Sequence, residues 1–478
     1  MSDTQFAPAL DASQRSPHPQ FWAVVAIACT AQFMVVLDST IVTVALPGMR
    51  ADLHLSTAQQ QLVVTAYLVP LGGLLLVAAR AGDLLGRKVL LLIGAFVVTA
   101  ASVCGGLATD PPMLLMARVA QGIGAAALAP TSLSLITASH ADERERHKAL
   151  AMWSIMGGSA SAIGLVLGGA LTAEFSWRWV LFVNAPVGLV LLVAGALSLR
   201  PDAPTSGRGS IDVSGALSIT LGIAALIYGL SQSSVNGWGS TAVILSLSTA
   251  ALLIVVFVAV EATSASPLIP RSLLESRSLR IGNVIMVCLG VAMTAATYFL
   301  SLYLQEALEY SALRTGLALL PMTIVLIVGG LASRRLIPIV GERWLLVVGA
   351  LVTTAGLVWL SWLPGHPAYI THILGPSLIA GCGISLMLLS VTLAATAGVD
   401  PKEAGAASGL LNTSRQLGGA LGLAVLVAVA SAVTSHYARH ASQHVALVHG
   451  YRIAILAIAA VTFVAALAAV ALNQRIDR

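Results

Sequence analysis

Charge is what this sequence has least of. Of its 478 residues, only 9% are Asp, Glu, Lys or Arg, against about 25% in a soluble domain. Hydrophobic residues make up 57% and the mean hydropathy is +0.91. The soluble classes are excluded, and a polytopic all-α membrane protein is expected. Cysteine is also sparse. Cys29, Cys104, Cys288 and Cys382 fall in separate apolar runs, with no CxxC pair or metal spacing, and read as small packing residues. No Walker A motif occurs, and no soluble segment is large enough for a nucleotide-binding domain. That excludes ATP hydrolysis as an energy source and leaves ion gradients, with no cofactor implied. No nucleophile–base constellation is visible, so an enzyme is not expected. The formal charge of +5 implies no nucleic-acid partner, because the basic residues are scattered through short loops and form no stripe. The first apolar run follows a polar tail holding Arg15. It is too long for a signal-peptide core and lacks a cleavage site, so it reads as a retained span.

What is present is a series of apolar runs. A helix needs about 20 apolar residues to cross the hydrocarbon core. Fourteen such runs occur: 22–46, 60–79, 89–108, 112–137, 148–172, 179–199, 212–231, 241–261, 281–306, 315–333, 344–363, 369–397, 405–434 and 451–472. Polar or Gly/Pro breaks such as "HADERERHK" and "RPDAPTSGRGSID" separate them. Eighteen Lys and Arg residues fall in loops on the side of the N-terminus, five on the opposite side and two inside runs. By the positive-inside rule both termini are cytoplasmic. Twenty-two Arg against three Lys in an Ala-, Gly-, Leu- and Val-rich chain suggest a high-GC bacterium, so the expected location is the bacterial plasma membrane, with the chain acting as a monomer.

Two segments echo each other. "AARAGDLLGRKVLLLIGA" (78–95) follows the second run and "SRRLIPIVGERWLLVVGA" (333–350) the tenth. Gly86 meets Gly341, Lys88 meets Arg343 and Gly94 meets Gly349. "GIGA" (122–125) likewise resembles "GCGI" (381–384). The echo fits two related six-helix halves, 22–199 and 281–472, with two helices inserted in 200–280 and tails at 1–21 and 473–478. Repeated halves are a transporter signature, building a midplane site at their interface.

The charges inside the runs carry the functional question. Asp38 lies about eight residues, roughly 12 Å, from the outer end of its run, and Arg118 about six residues, roughly 9 Å, from the outer end of its own. They sit at similar depth. One reading is a fixed ion pair that avoids two unpaired charges. The other is an exchangeable carboxylate, because loss of water favours the acid and a nearby cation favours the anion. Such a site can take up a proton, release it, or hold a cationic substrate instead, which is sufficient physics for antiport. Asp38 falls opposite Met293 of the other half, so its job is specific to one half. Arg415 lies about ten residues, roughly 15 Å, into the thirteenth run. It is either a packing cation satisfied by backbone carbonyls and Asn412, or a gating or substrate contact. Glu306, near the outer face, is either solvated or a second proton or cation site. "GSASAIGLVLGG" (158–169) lets helices approach closely through small residues. His436, His440 and His444 recur four apart without an accompanying carboxylate or thiol, and read as an exposed helical extension with no metal.

Several stretches together resemble the major facilitator superfamily, in its fourteen-helix drug:proton antiporter branch. "LDSTIVTVALP" (37–47) is similar to that branch's first-helix signature, with Thr43 in place of Asn. "GDLLGRK" (82–88) resembles the cytoplasmic motif between helices 2 and 3, with Ala79 and Leu84 departing from it. "RVAQGIGAA" (118–126) is similar to the fourth-helix motif, and "GLVLGG" (164–169) to the antiporter motif of helix 5, with Leu165 in place of Pro. "WRWVLFVNAPVG" (177–188) and "AGAASGLLNTSRQLGGALG" (404–422) are typical of the branch. The resemblance implies a small-molecule exporter driven by protons, drug-like and amphipathic or cationic in its cargo. It implies coupling through Asp38 and Arg118, with Glu306 and Arg415 as further candidates. It also implies a conformational latch at Asp83, Gly86 and Arg87, and an outer seal at Gly164, Gly168 and Gly169. A dedicated exporter of a self-made natural product or lipid is the alternative within the class. A membrane sensor or channel is the alternative outside it.

Overall fold

The computed structural model describes residues 19–138, 142–200, 212–264, 267–364, 368–400 and 403–472. Most of the expected N-terminal tail, the 201–211 loop and the C-terminal tail from residue 473 lie outside the described residues. Fourteen helices are long and apolar enough to cross a membrane. They are α1 (Phe21–Val44), α2 (Thr57–Gly82), α3 (Arg87–Gly106), α4 (Pro111–Thr137), α5 (Glu143–Glu174), α6 (Arg178–Ser198) and α7 (Val213–Ser233). The chain continues with α8 (Thr241–Thr263), α9 (Arg277–Ala307), α10 (Ala312–Val340), α11 (Glu342–Leu360), α12 (Ile370–Thr396), α13 (Ala404–Tyr437) and α14 (Gln443–Val470).

Polar residues at the ends set the boundaries. Ser56 and Gln59 form a capping box at the start of α2. Asp110, Asp142, Ser276 and Ser311 accept backbone N–H groups at the starts of α4, α5, α9 and α10. Such caps are worth about 1 kcal/mol each. They explain why several helices outrun their apolar stretches. α5 begins five residues before its expected start at 148, because the Asp142 carboxylate receives the Glu145 N–H at 2.7 Å.

The internal echo has a structural meaning. Gly86 and Gly341 take positive φ angles of 89° and 82° and break α2 from α3 and α10 from α11. Two residues later, Lys88 donates to the carbonyls of Ala196 and Leu199 at the end of α6, at 2.7 and 2.6 Å. Arg343 donates to the Val470 carbonyl at the end of α14, at 2.6 Å. Each cation therefore satisfies free carbonyls at a helix C-terminus, where the dipole also favours it. A methyl group on Gly94 would come within 2.9 Å of the Gly124 carbonyl oxygen, and one on Gly349 within 2.9 Å of that of Gly383. α3 and α4 thus approach as α11 and α12 do.

Packing repeats at the level of helix pairs. α1 packs on α4, α5 and α6, α2 on α4, and α3 on α4 and α6. Likewise α9 packs on α12, α13 and α14, α10 on α12, and α11 on α12 and α14. The two sets meet along α2 with α13 and α5 with α10. α7 lies against α2 and α13, while α8 packs on α7 and is only 11% buried in its apolar window. Its nearly uniform apolarity suits a helix that faces lipid on most sides.

The two ends of the bundle differ. At the end away from the termini, one apolar core includes Leu46, Met49 and Leu181 together with Phe299, Tyr303 and Tyr451. Toward the termini the cores part. Leu279, Leu346, Val391 and Ala469 belong to one cluster, and Phe21, Ile136 and Ala149 to another. Contact along α2 and α13 continues there, with Gly409 against Leu76. The bundle is closed at its far end.

Candidate functional site

Asp38 and Arg118 meet as their depths require. Arg118 Nη1 donates to Asp38 Oδ2 at 2.8 Å. Asp38 Oδ1 also accepts from Gln121 Nε2 at 3.0 Å and from Asn184 Nδ2 at 2.6 Å. Three donors on α4 and α6 thus converge on one carboxylate from α1. Asp38 is 0% exposed and Arg118 1%.

The guanidinium is held as firmly. Its Nε donates to the Val63 carbonyl at 3.0 Å, and Nη1 also reaches Gln121 Oε1 at 2.8 Å. The ring of Tyr67 lies 4.5 Å beneath its central carbon, a cation–π contact. Tyr67 is fixed by donating to the Val35 carbonyl at 2.9 Å. Gln121, one turn after Arg118, donates in addition to Ser102 Oγ at 2.7 Å. Gly122 brings α4 against the backbone of Tyr67, where a Cβ would strike the carbonyl. One atom of the network is unfilled: Asn184 Oδ1 is buried without a hydrogen-bond partner.

Gln121 and Asn184 were not among the expected site residues. Each is a lone amide in an apolar run, and Gln121 falls three residues after Arg118 on the same helix face. That spacing was a usable signal. Ser102 gave none, because serines are common in membrane spans and satisfy themselves on their own helix.

The remaining candidates lie elsewhere. Glu306 sits in a π-helical turn at the end of α9, is 18% exposed, and pairs with Arg50 of the other half at 3.4 Å. Tyr451 donates to its second oxygen at 2.6 Å. This bridge spans the closed end, where Ser301 Oγ also donates to the Thr43 carbonyl at 3.2 Å. Arg415 on α13 donates to Asn412 Oδ1 at 2.7 Å. That amide is its one hydrogen-bond partner among the described residues, so the backbone carbonyls expected to satisfy it do not.

The small residues of α5 make two different approaches. Gly164 and Gly168 face α1, with Gly168 placing a would-be Cβ 2.6 Å from the Ile41 carbonyl. Gly169 faces α10 of the other half, 2.6 Å from the Ala312 carbonyl by the same measure. Gly86 forms the break before Arg87, which opens α3. The Asp83 side chain lies outside the described residues. The three histidines do not form a helical extension. α13 ends at Tyr437, so His436 is on α13, His440 in the turn and His444 on α14. Tyr437 instead stacks on His449 at 4.4 Å.

Residues 28–423 match the family model described as the Major Facilitator Superfamily. The cephamycin export protein of Amycolatopsis lactamdurans is 41% identical over 84% of this chain and 83% of its own length. The puromycin resistance protein of Streptomyces alboniger is 37% identical over 99% and 96%. The tetracenomycin C resistance and export protein of Streptomyces glaucescens is 33% identical over 85% and 75%. Among solved structures, a bacterial homologue of the human lysosomal transporter Spinster, inward-facing and occupied, superimposes with a TM-score of 0.66 at 17% identity, covering 96% of this chain and 97% of that one. A peptide transporter of the POT family gives 0.68 at 14% identity, covering 96% and 98%. These two show the fold alone.

Proposed function

The chain belongs to the Major Facilitator Superfamily, and on that footing we propose that it exports drug-like amphipathic or cationic molecules across a bacterial plasma membrane in exchange for protons. Its relatives are antibiotic export and resistance proteins, which supports efflux of such compounds. The observation that carries the coupling is the carboxylate of Asp38, taken wholly out of water in one half of the bundle. Burial of a charge costs several kcal/mol, and three donors offset that cost here.

A proton added to Oδ1 turns an acceptor into a donor. Asn184 can receive it by turning its amide, since its Oδ1 has no other partner. Arg118 then loses its counter-charge and its hold on α1 weakens. The protonated pair thereby favours a different arrangement of the helices than the charged one. Asp38 has no open face in the closed-end arrangement, so a cationic substrate does not bind on this carboxylate there.

The other assignments follow the same scheme. The end carrying the termini is cytoplasmic, in keeping with the Lys and Arg asymmetry, so the far end faces outward. Gly164, Gly168 and Gly169 seal that outer end, with Glu306 and Arg50 across it. Asp83, Gly86 and Arg87 latch the cytoplasmic end, and the working unit is the monomer.

Inverted vesicles carrying the protein test the reading. Puromycin and tetracenomycin C should accumulate against their gradients when a proton gradient is imposed, and an uncoupler should collapse the accumulation. Accumulation that survives the uncoupler would sink proton coupling.

A further inference from the structure

Among the described residues, Asp38, Arg118 and Arg415 are charged side chains well inside spans. Asp38 and Arg118 neutralise each other inside one half. Arg415 is left over. No carboxylate among the described residues lies within ion-pair distance of it, and one of its five N–H donors is used, on the uncharged amide of Asn412. A lone arginine at midspan costs several kcal/mol unless something compensates it. Unlike Arg118, its side chain is not sealed: it retains partial exposure deep inside the bundle.

Its position is one residue from the seam of the two halves. The Arg415 backbone carbonyl presses on Gly290 of α9, where a Cβ would collide with it. That contact fixes this turn of α13. The next residue, Gln416, faces α2 of the other half, where a methyl group on Gly72 would come within 2.9 Å of its Cβ. Arg415 thus stands one residue from the α13–α2 contact, on a turn of α13 packed against α9, and transporters with repeated halves hold cargo between those halves and move around it. Guanidinium is a planar fork of donors that fits a carboxylate bidentately.

We propose that Arg415, supported by Asn412, is an anion subsite for cargo, and that the transported molecules include amphipathic carboxylates. Asp38, which could hold a cation if it were open, is sealed by its three donors. The charge left without a counter-charge beside the seam is positive. The assignment names a cargo class for the export reading and rests on it. Its test needs no ion gradient, so it can fail while proton coupling stands, and the reverse.

The test compares dansyl-phenylalanine with its uncharged amide, by dansyl fluorescence with the purified full-length protein in phosphatidylcholine nanodiscs. The carboxylate should bind at least about tenfold tighter, as expected for one charge-assisted contact. R415Q should erase that preference while leaving the amide's affinity unchanged, and R415K should restore part of it. Equal binding of the two probes by the wild type, or binding of neither, overturns the proposal, as does an R415Q that weakens both alike. The wild-type comparison decides the matter if R415Q does not fold. Adding phosphatidylglycerol to the discs separates the two sources of an anion. Unchanged carboxylate binding supports soluble cargo. Binding lost to the lipid in the wild type would reassign the subsite to a lipid headgroup and overturn it as a cargo site.

Discussion

At the scale of single residues, the economy of charge decides what each charge must do. Asp38 accepts three hydrogen bonds and Arg118 makes three contacts besides the carboxylate. Removing one partner strands the other, which costs roughly 3–5 kcal/mol for a buried pair. Asp38→Asn keeps the volume but turns an NH2 group toward a donor, a loss of about 1–3 kcal/mol. We expect Asp38→Asn to fold and to lose pH-driven exchange. Arg118→Gln should be markedly destabilised in the wild-type background and much less so on top of Asp38→Asn. Thermal unfolding of the four proteins in detergent gives the coupling, expected at roughly 1–3 kcal/mol. Additive effects would separate the two residues. Charges were legible in the sequence for a plain reason: each stands out in an apolar run, and depth can be counted from the run's ends. Their partners were less legible. Gln121 is visible once helix spacing is applied, but the convergence of Asn184 on the same oxygen depends on how α6 packs against α1, which no local pattern encodes.

At the scale of elements, the repeated turn after α2 and α10 does more than set topology. A basic residue in such a turn reads from sequence as a cytoplasmic anchor, and Lys88 fits that. The structure adds a second role, because Lys88 and Arg343 each close the last helix of their own half. Lys88→Met should therefore lower stability by about 1 kcal/mol, and Lys88→Arg should recover most of it. Insertion should be unchanged, since seventeen basic residues remain on that side of the membrane against five on the other. Detergent melting curves and protease accessibility of the termini measure the two effects apart. A Lys88→Met protein that is inverted but melts normally would leave only the anchoring role. The fourteen helices themselves were readable, because each must be about as long and apolar as the bilayer is thick. Their ends were less so, as at α5, where a polar cap at Asp142 extends the helix past its apolar stretch. The histidine-bearing segment misled for a related reason. A spacing of four looks helical, but Ser442 caps a new helix inside it.

At the scale of the whole molecule, the closed far end depends on contacts of unequal kind. The apolar core there joins both halves, and the close approach of Gly169 to α10 admits no side chain. The bridge from Arg50 to Glu306 is different, since its members are 39% and 18% exposed. An ion pair so open to solvent contributes about 1 kcal/mol at most, enough to bias an equilibrium between two arrangements but not to hold one alone. Glu306→Gln removes the charge and leaves the amide oxygen for Tyr451. The far end should then open more often, by up to about fivefold if the whole contribution of the pair is lost. Thr43, 8% exposed beneath that end, reports on it. In a background whose four native cysteines are replaced, Thr43→Cys should react faster with a polar maleimide when Glu306→Gln is also present, in detergent and without a gradient. High salt should raise the rate of the parent toward that of the variant, because screening weakens exposed pairs first. Equal rates at low salt would mean that packing alone keeps the far end shut, and that Glu306 serves the turn of α9 rather than the balance between the halves.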